Sequence, residues 1–221
     1  MARPKGDIDK RILHAARARF LIEGVDGAAL RAIAKDARTS IGMIYYYFPT
    51  KDDLFLAVVE EVYERLLADL VVALAPDRPV RERIQRLYER IGRLDDEELL
   101  VMRLVVREAL ISSVRLERIL SRFQRGHLPL VFRTVADGLA DGTLDGRRHP
   151  LLLVGALLGM GAAPQILKRV FGPRLFPDLD GETFVEQLVE VLFGGIAGAN
   201  ATVASPTTVR PTRERADRAK R

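Results

Sequence analysis

At 221 residues the chain is long enough for one large core or two smaller ones, and 48% hydrophobic with 29% charged residues is the balance of a globular protein. It has no cysteine, which excludes a disulfide framework and a thiolate zinc site. The net charge of +5 is unevenly placed: residues 1–51 carry ten Lys/Arg against five Asp/Glu, residues 52–204 carry 19 against 23, and residues 205–221 carry six against two. A basic excess at the two ends suits contact with a polyanion.

The first ten residues lack the apolar core of a secretion signal, which points to the cytoplasm. Asp7 or Asp9 can cap a first helix whose Ile8, Ile12, Ala16 and Phe20 form one stripe, and Gly24 can end it. Leu30, Ile33, Ala34 and Ala37 recur at helical spacing and predict a second helix over 30–37. Ser40 is a good N-cap for a third over 40–48, although Ile44 to Phe48 is an apolar block that propensity alone would make a strand. Pro49 ends that block, and Thr50-Lys-Asp-Asp places a cap and first-turn acids ahead of Leu54 and Phe55, predicting a fourth helix over about 51–74. Two short helices joined by about three residues form a helix-turn-helix, over about 29–48 here, whose second helix can enter the major groove. Ile44 and Phe48 share a face directed at Ile12 and Phe20, which turns the tyrosines elsewhere.

Through Ile12, Leu13, Ala15, Ala16, Phe20, Gly24, Ile33, Ala34, Ser40, Gly42, Tyr45, Tyr47, Phe48, Lys51 and Leu54 the chain resembles the TetR family of transcriptional regulators. The resemblance covers about a fifth of the chain and implies an all-α fold: an N-terminal three-helix DNA-binding domain (1–51) joined by a long helix to a helical ligand-binding and dimerisation domain (52–201), with a disordered basic tail (202–221). It also implies DNA contacts at Arg31, Thr39, Ser40, Ile41, Gly42, Met43, Tyr45, Tyr46, Tyr47 and Lys51. Of these, Ile41, Gly42, Met43 and Tyr45 face bases, while Tyr46, Tyr47 and Lys51 hold the backbone. Three positions depart from the family pattern. Ala28 replaces a Thr or Ser that would cap the second helix, so Asp26 or Gly27 is expected to cap instead. Arg38 replaces a turn glycine and is expected in a left-handed conformation. Ile41 is apolar where a polar reader is usual, so no target sequence carries over.

Further helices are predicted over about 80–93, 96–123, 127–141, 150–170 and 182–199, punctuated by Gly and Pro. The apolar run 151–163 has 13 residues, short of the roughly 20 that cross a bilayer, so no membrane contact is expected and the run reads as a buried helix kinked at Pro164. His14, His127 and His149 form no metal-ligand pair, and neither a phosphate loop nor a nucleophile elbow occurs; no enzyme, metal or cofactor is expected. Met102 and Val106 on one stripe, with Arg103, Phe123, His127, Phe132 and Met160, are candidates to line an effector pocket. Phe184, Leu188, Val191, Leu192, Gly195 and Ile196, with Leu157 on the apolar helix, are candidates for a homodimer interface. The resulting expectation is a dimeric regulator of double-stranded operator DNA, a repressor released by a small apolar or amphipathic effector. A helical ligand-binding scaffold without operator recognition is the alternative.

Overall fold

The computed structural model describes residues 7–171 and 180–195, and these form an all-helical fold. In chain order the helices are α1 (Ile8–Gly27), α2 (Leu30–Asp36), α3 (Ile41–Tyr47), α4 (Lys51–Ala73), α5 (Val80–Gly92), α6 (Asp96–Ile111), α7 (Ser113–Gln124), α8 (His127–Ala140), α9 (Pro150–Phe171) and α10 (Gly181–Gly194). The expected tail and Ile196 lie outside the described residues.

Local chemistry starts several of these helices. Thr50 and Asp53 satisfy each other's main-chain N–H groups at the head of α4, and Asp95 and Glu98 do the same for α6. Ser40 accepts from the Met43 N–H on α3, and Asp180 from the Glu182 and Thr183 N–H groups on α10. Each such cap stabilises its helix by about 1 kcal/mol. The helix expected over 96–123 is two helices: it breaks at Ser112, whose hydroxyl accepts from the Arg115 N–H and starts α7. Ala29, not Asp26 or Gly27, holds the cap position of α2, with no side-chain bond. Arg38 has φ 51°, as the missing turn glycine requires.

Packing divides along α4. One core gathers Ile12, Phe20, Ile33, Ile44, Leu54, Phe55 and Val58 from α1–α4 together with Val101 and Leu104 of α6 and Ile119 of α7. The other runs from Leu70 through α5, α8, α9 and α10, with Ile84, Tyr88, Val131, Leu157 and Val185 at its centre. Because α6 and α7 contribute to the first core, α1–α3 are packed into the rest of the described fold.

Helix α9 corrects two expectations. Its stretch Pro150–Arg169 is 20 residues at mean hydropathy 1.7, long and apolar enough to cross a membrane by length and composition, because Pro164 does not end the helix. It is also not buried all round. Val154, Leu157, Gly161 and Gln165 face the subunit, where the Tyr88 hydroxyl donates to the Leu157 carbonyl at 2.9 Å and the Gln165 amide donates to the Tyr88 and Gly161 carbonyls. Leu151, Leu152, Gly155, Ala156, Gly159, Ala163 and Leu167 form the opposite, exposed face.

Candidate nucleic-acid interface and effector cavity

The pattern that makes α3 a helix also selects what it exposes. Ile44 is buried against the first core and Phe48 packs on it, so Ile41, Gly42, Tyr45 and Tyr46 are left exposed on the outer surface. Tyr45 is 51% and Tyr46 68% exposed. Met43 and Tyr47 are half-buried, and the Tyr47 ring sits edge-on to Tyr46 at 5.2 Å. Arg31 and Ser40 are exposed and Thr39 is half-buried. The structure thus brings the expected contact residues to the α2–α3 end, with phenols that can pack on sugar or a thymine methyl and bond phosphate.

Lys51 opens α4, where free N–H groups already favour a phosphate. Its Nζ donates to the Asp26 carbonyl at 3.0 Å. The Asp26 carboxylate in turn receives the Arg115 guanidinium, which holds that carboxyl below its usual range. Arg115, nearly buried, also reaches Asp52 Oδ1 at 2.9 Å and Glu108 Oε2 at 2.8 Å. Glu108 completes the bridge by accepting from the Val25 N–H at 3.3 Å and from Arg107 Nε at 3.2 Å, while Arg107 Nη2 donates to the Phe20 carbonyl. Arg118 with Asp53, and Arg122 with Glu60 and Glu64, continue the pairing of α7 with α4. One arginine of α7 therefore ties together the end of α1, the head of α4 and the interior of α6. Sequence inspection missed it because Asp26 and Arg115 are 89 positions apart.

Behind this bridge α4 to α9 enclose a cavity of about 460 Å³. Its wall is almost wholly aliphatic, from Val59, Val62 and Leu66 of α4 to Leu157, Leu158 and Ala162 of α9. Of the candidate residues, Met102, Val106, Phe123 and His127 line it. Arg103, Phe132 and Met160 do not: Arg103 and Phe132 face solvent, and Met160 packs into the second core. The polar groups of the wall are Tyr63, His127 and Glu98. The Tyr63 hydroxyl lies 2.7 Å from His127 Nδ1 and accepts from the His127 main-chain N–H at 3.0 Å. Burial, helped by the nearby Arg122 charge, pushes the imidazole down to about 4 and keeps it neutral at pH 7. Burial likewise raises Tyr63. Glu98 is clamped bidentately by Arg90.

The dimer candidates separate in the same way. Leu157, Phe184 and Leu188 are buried inside the subunit, because α10 lies on α5 and fills the second core. Val191 and Leu192 are half-buried and Gly195 is exposed. The outward side of α10 carries Glu182, Glu186, Gln187 and Glu190. The continuous open apolar face belongs to α9.

A helix-turn-helix with Tyr45 and Tyr46 exposed on its second helix, fixed to a helical body that carries an apolar cavity, is the architecture of a helical DNA-binding regulator. Comparison with known proteins bears on both parts. Residues 12–58 match the family model described as bacterial regulatory proteins, tetR family. Over 142 residues, 62% of the chain and 72% of the relative, it is 25% identical to YhgD of Bacillus subtilis, an uncharacterised helix-turn-helix transcriptional regulator. Over 82 residues, 35% of the chain and 39% of the relative, it is 35% identical to the transcriptional repressor NicS of Pseudomonas putida. Among solved structures, a putative fatty acid metabolism regulator of Clostridium perfringens superposes with TM-score 0.70 at 17% identity, covering 85% of this chain and 98% of that one. FadR of Bacillus subtilis, solved with stearoyl-CoA, gives 0.68 at 18% identity over 85% and 99%. At such identities the structural likeness is one of fold. Residues 12–58 thus carry the DNA-binding domain of tetR-family bacterial regulatory proteins, and the rest of the chain is similar to such regulators in fold.

Proposed function

We propose that the protein is a cytoplasmic, dimeric repressor that leaves its operator when an elongated apolar or amphipathic molecule fills the cavity. The observation that supports this reading is the sharing of helices: α4, α6 and α7 wall the cavity and also hold the DNA-binding end through Arg115. A ligand that displaces α6 or α7 must therefore disturb the seating of α1 and α4. It favours release only to the extent that it binds the released conformation more tightly, about 5.5 kcal/mol for a complete switch. The stearoyl-CoA bound by the fold-related FadR makes an acyl chain a reasonable occupant of so aliphatic a wall.

The open face of α9 is the proposed dimer surface, with Gly155, Ala156, Gly159 and Ala163 letting two copies of the helix approach closely. Its inner face is bonded into the subunit through Gln165 and Tyr88, which favours a second copy over a bilayer as the covering partner. Two-fold symmetry then presents two α3 helices to an approximately palindromic operator, with half-site centres about 34–36 Å apart. Operator fragments selected from genomic DNA should show this palindrome. Ala156→Glu lies on the exposed face and leaves the core untouched. It should give a folded monomer by sedimentation with operator affinity reduced at least about tenfold, since binding loses its second half-site. A monomer that still binds the full palindrome at wild-type affinity would refute the dimer reading.

A further inference from the structure

The cavity wall names the head group of its ligand. Resting on the reading of this cavity as the effector site, we propose that it takes an acyl chain ending in a neutral carbonyl, such as an ester or thioester, whose oxygen accepts a hydrogen bond from His127 Nε2–H, and that it rejects the free carboxylate. Three observations support this. First, no Lys or Arg is among the residues lining the cavity, and its one charged member, Glu98, is an anion already held by Arg90. A carboxylate brought inside would lose its water with no cation in the lining to pair with it. Second, His127 is a neutral donor. The Tyr63 hydroxyl accepts from the His127 main chain and lies 2.7 Å from Nδ1; in the tautomer this proposal takes, the phenol donates to Nδ1 and the imidazole carries its proton on Nε2. Third, no protein acceptor among the described residues takes that Nε2–H, which leaves it available to a ligand's carbonyl oxygen.

The charged and titratable groups around His127 leave this state unchanged between pH 6.5 and 8. From α4 come Tyr63, raised by burial, and Glu60 and Glu64, both paired with Arg122 of α7; from α6 comes Glu98, paired with Arg90 of α5; the α9 residues of the wall carry none. Ester binding should thus be flat across that range. Free acid can enter only protonated, so its affinity should rise about tenfold for each unit the pH falls, given a carboxyl that ionises near 4.3.

The test is displacement of the neutral fluorophore N-phenyl-1-naphthylamine from the full-length protein by methyl dodecanoate and by dodecanoate. The ester should bind at least about 100-fold more tightly than the acid at pH 8. His127→Phe, which keeps a ring against Phe123 but removes the donor, should weaken the ester about five- to tenfold relative to the fluorophore. His127→Gln, which keeps an N–H, should recover part of the loss. A wild-type circular dichroism spectrum with saturable fluorophore binding shows that a variant is folded around its cavity; if His127→Phe fails this, Tyr63→Phe, which removes the hydroxyl beside Nδ1, must show the weakening instead. Equal affinity for acid and ester, a pH-independent acid, or variants that bind ester like wild type would overturn the assignment. Failure of fluorophore and ester alike to bind the wild-type protein would overturn the effector-site reading beneath it.

Discussion

Replacing Arg115 by Met removes the cation shared by Asp26, Asp52 and Glu108, and burial decides what that costs. The Asp26 side chain is 72% exposed and that of Asp52 31%, so water and salt screen both and each contributes under about 1 kcal/mol. Glu108 is only 2% exposed. Without Arg115 its buried carboxylate keeps Arg107 Nε at 3.2 Å and the Val25 N–H at 3.3 Å, which soften but do not abolish the roughly 3–5 kcal/mol of an orphaned buried charge. Arg115→Met should therefore lose about 3 kcal/mol, two powers of ten in the folding constant. Adding Glu108→Leu removes the orphan and should restore at least half of the loss. Urea unfolding at pH 7, followed by circular dichroism with the m-value checked for constancy, measures both variants. A loss below about 1 kcal/mol for the single variant, or additive losses in the double, would show that the bridge is not held by the Arg115–Glu108 pair.

Three further outcomes follow from local geometry. Lys51→Ala should weaken DNA binding evenly across sequences and reduce the salt dependence by about one phosphate contact; an unchanged slope in a binding titration against salt would remove Lys51 from the interface. Arg38→Gly relieves a left-handed residue and should raise stability by about 0.5–1 kcal/mol in the same urea assay; a loss would mean that the arginine side chain is itself a stabilising contact. His127 has a folded value near 4 against an ordinary 6.5, so its neutral burial favours the folded state fully above pH 6.5. That contribution is lost as pH falls from 6.5 to 4, by up to about 3 kcal/mol, because the unfolded chain takes up the proton first. The difference between wild type and His127→Gln should carry this slope and cancel the carboxylates; parallel stability profiles would refute it.

What could be read in the sequence was what neighbours in sequence decide. Ser40, the Thr50–Asp53 cap and the Ile44–Phe48 spacing each act within four residues, so α3 and the head of α4 were legible, as was the strained turn at Arg38. The break at Ser112 was not, because apolar spacing continues through it and the serine caps a helix without a Gly or Pro to mark the end. The apolar stripe of α10 was visible, but nothing local distinguishes a face that meets α5 from one that meets a second chain, and Phe184 and Leu188 proved to be internal. At the cavity, Met102 and Val106 were legible from helical spacing, whereas Phe123 and His127 were candidates that no single helical stripe connects. Arg103, one residue from Met102, is turned about 100° away by the helix itself, and the Tyr63–His127 pair spans 64 positions that no short-range pattern connects.

Gly24 interrupts α1 with φ 77° and ψ 167°, a conformation open essentially to glycine alone. The interruption lifts the Val25 N–H out of the helical ladder and hands it to Glu108, 83 residues away on α6. That single main-chain amide is consequently a native reporter. Its proton can exchange with deuterated solvent only when α6 and the end of α1 part, so its protection measures the free energy of that separation directly. Occupation of the cavity should appear there as faster exchange, and occupation of DNA as slower, with neither a label nor a mutation introduced into the protein.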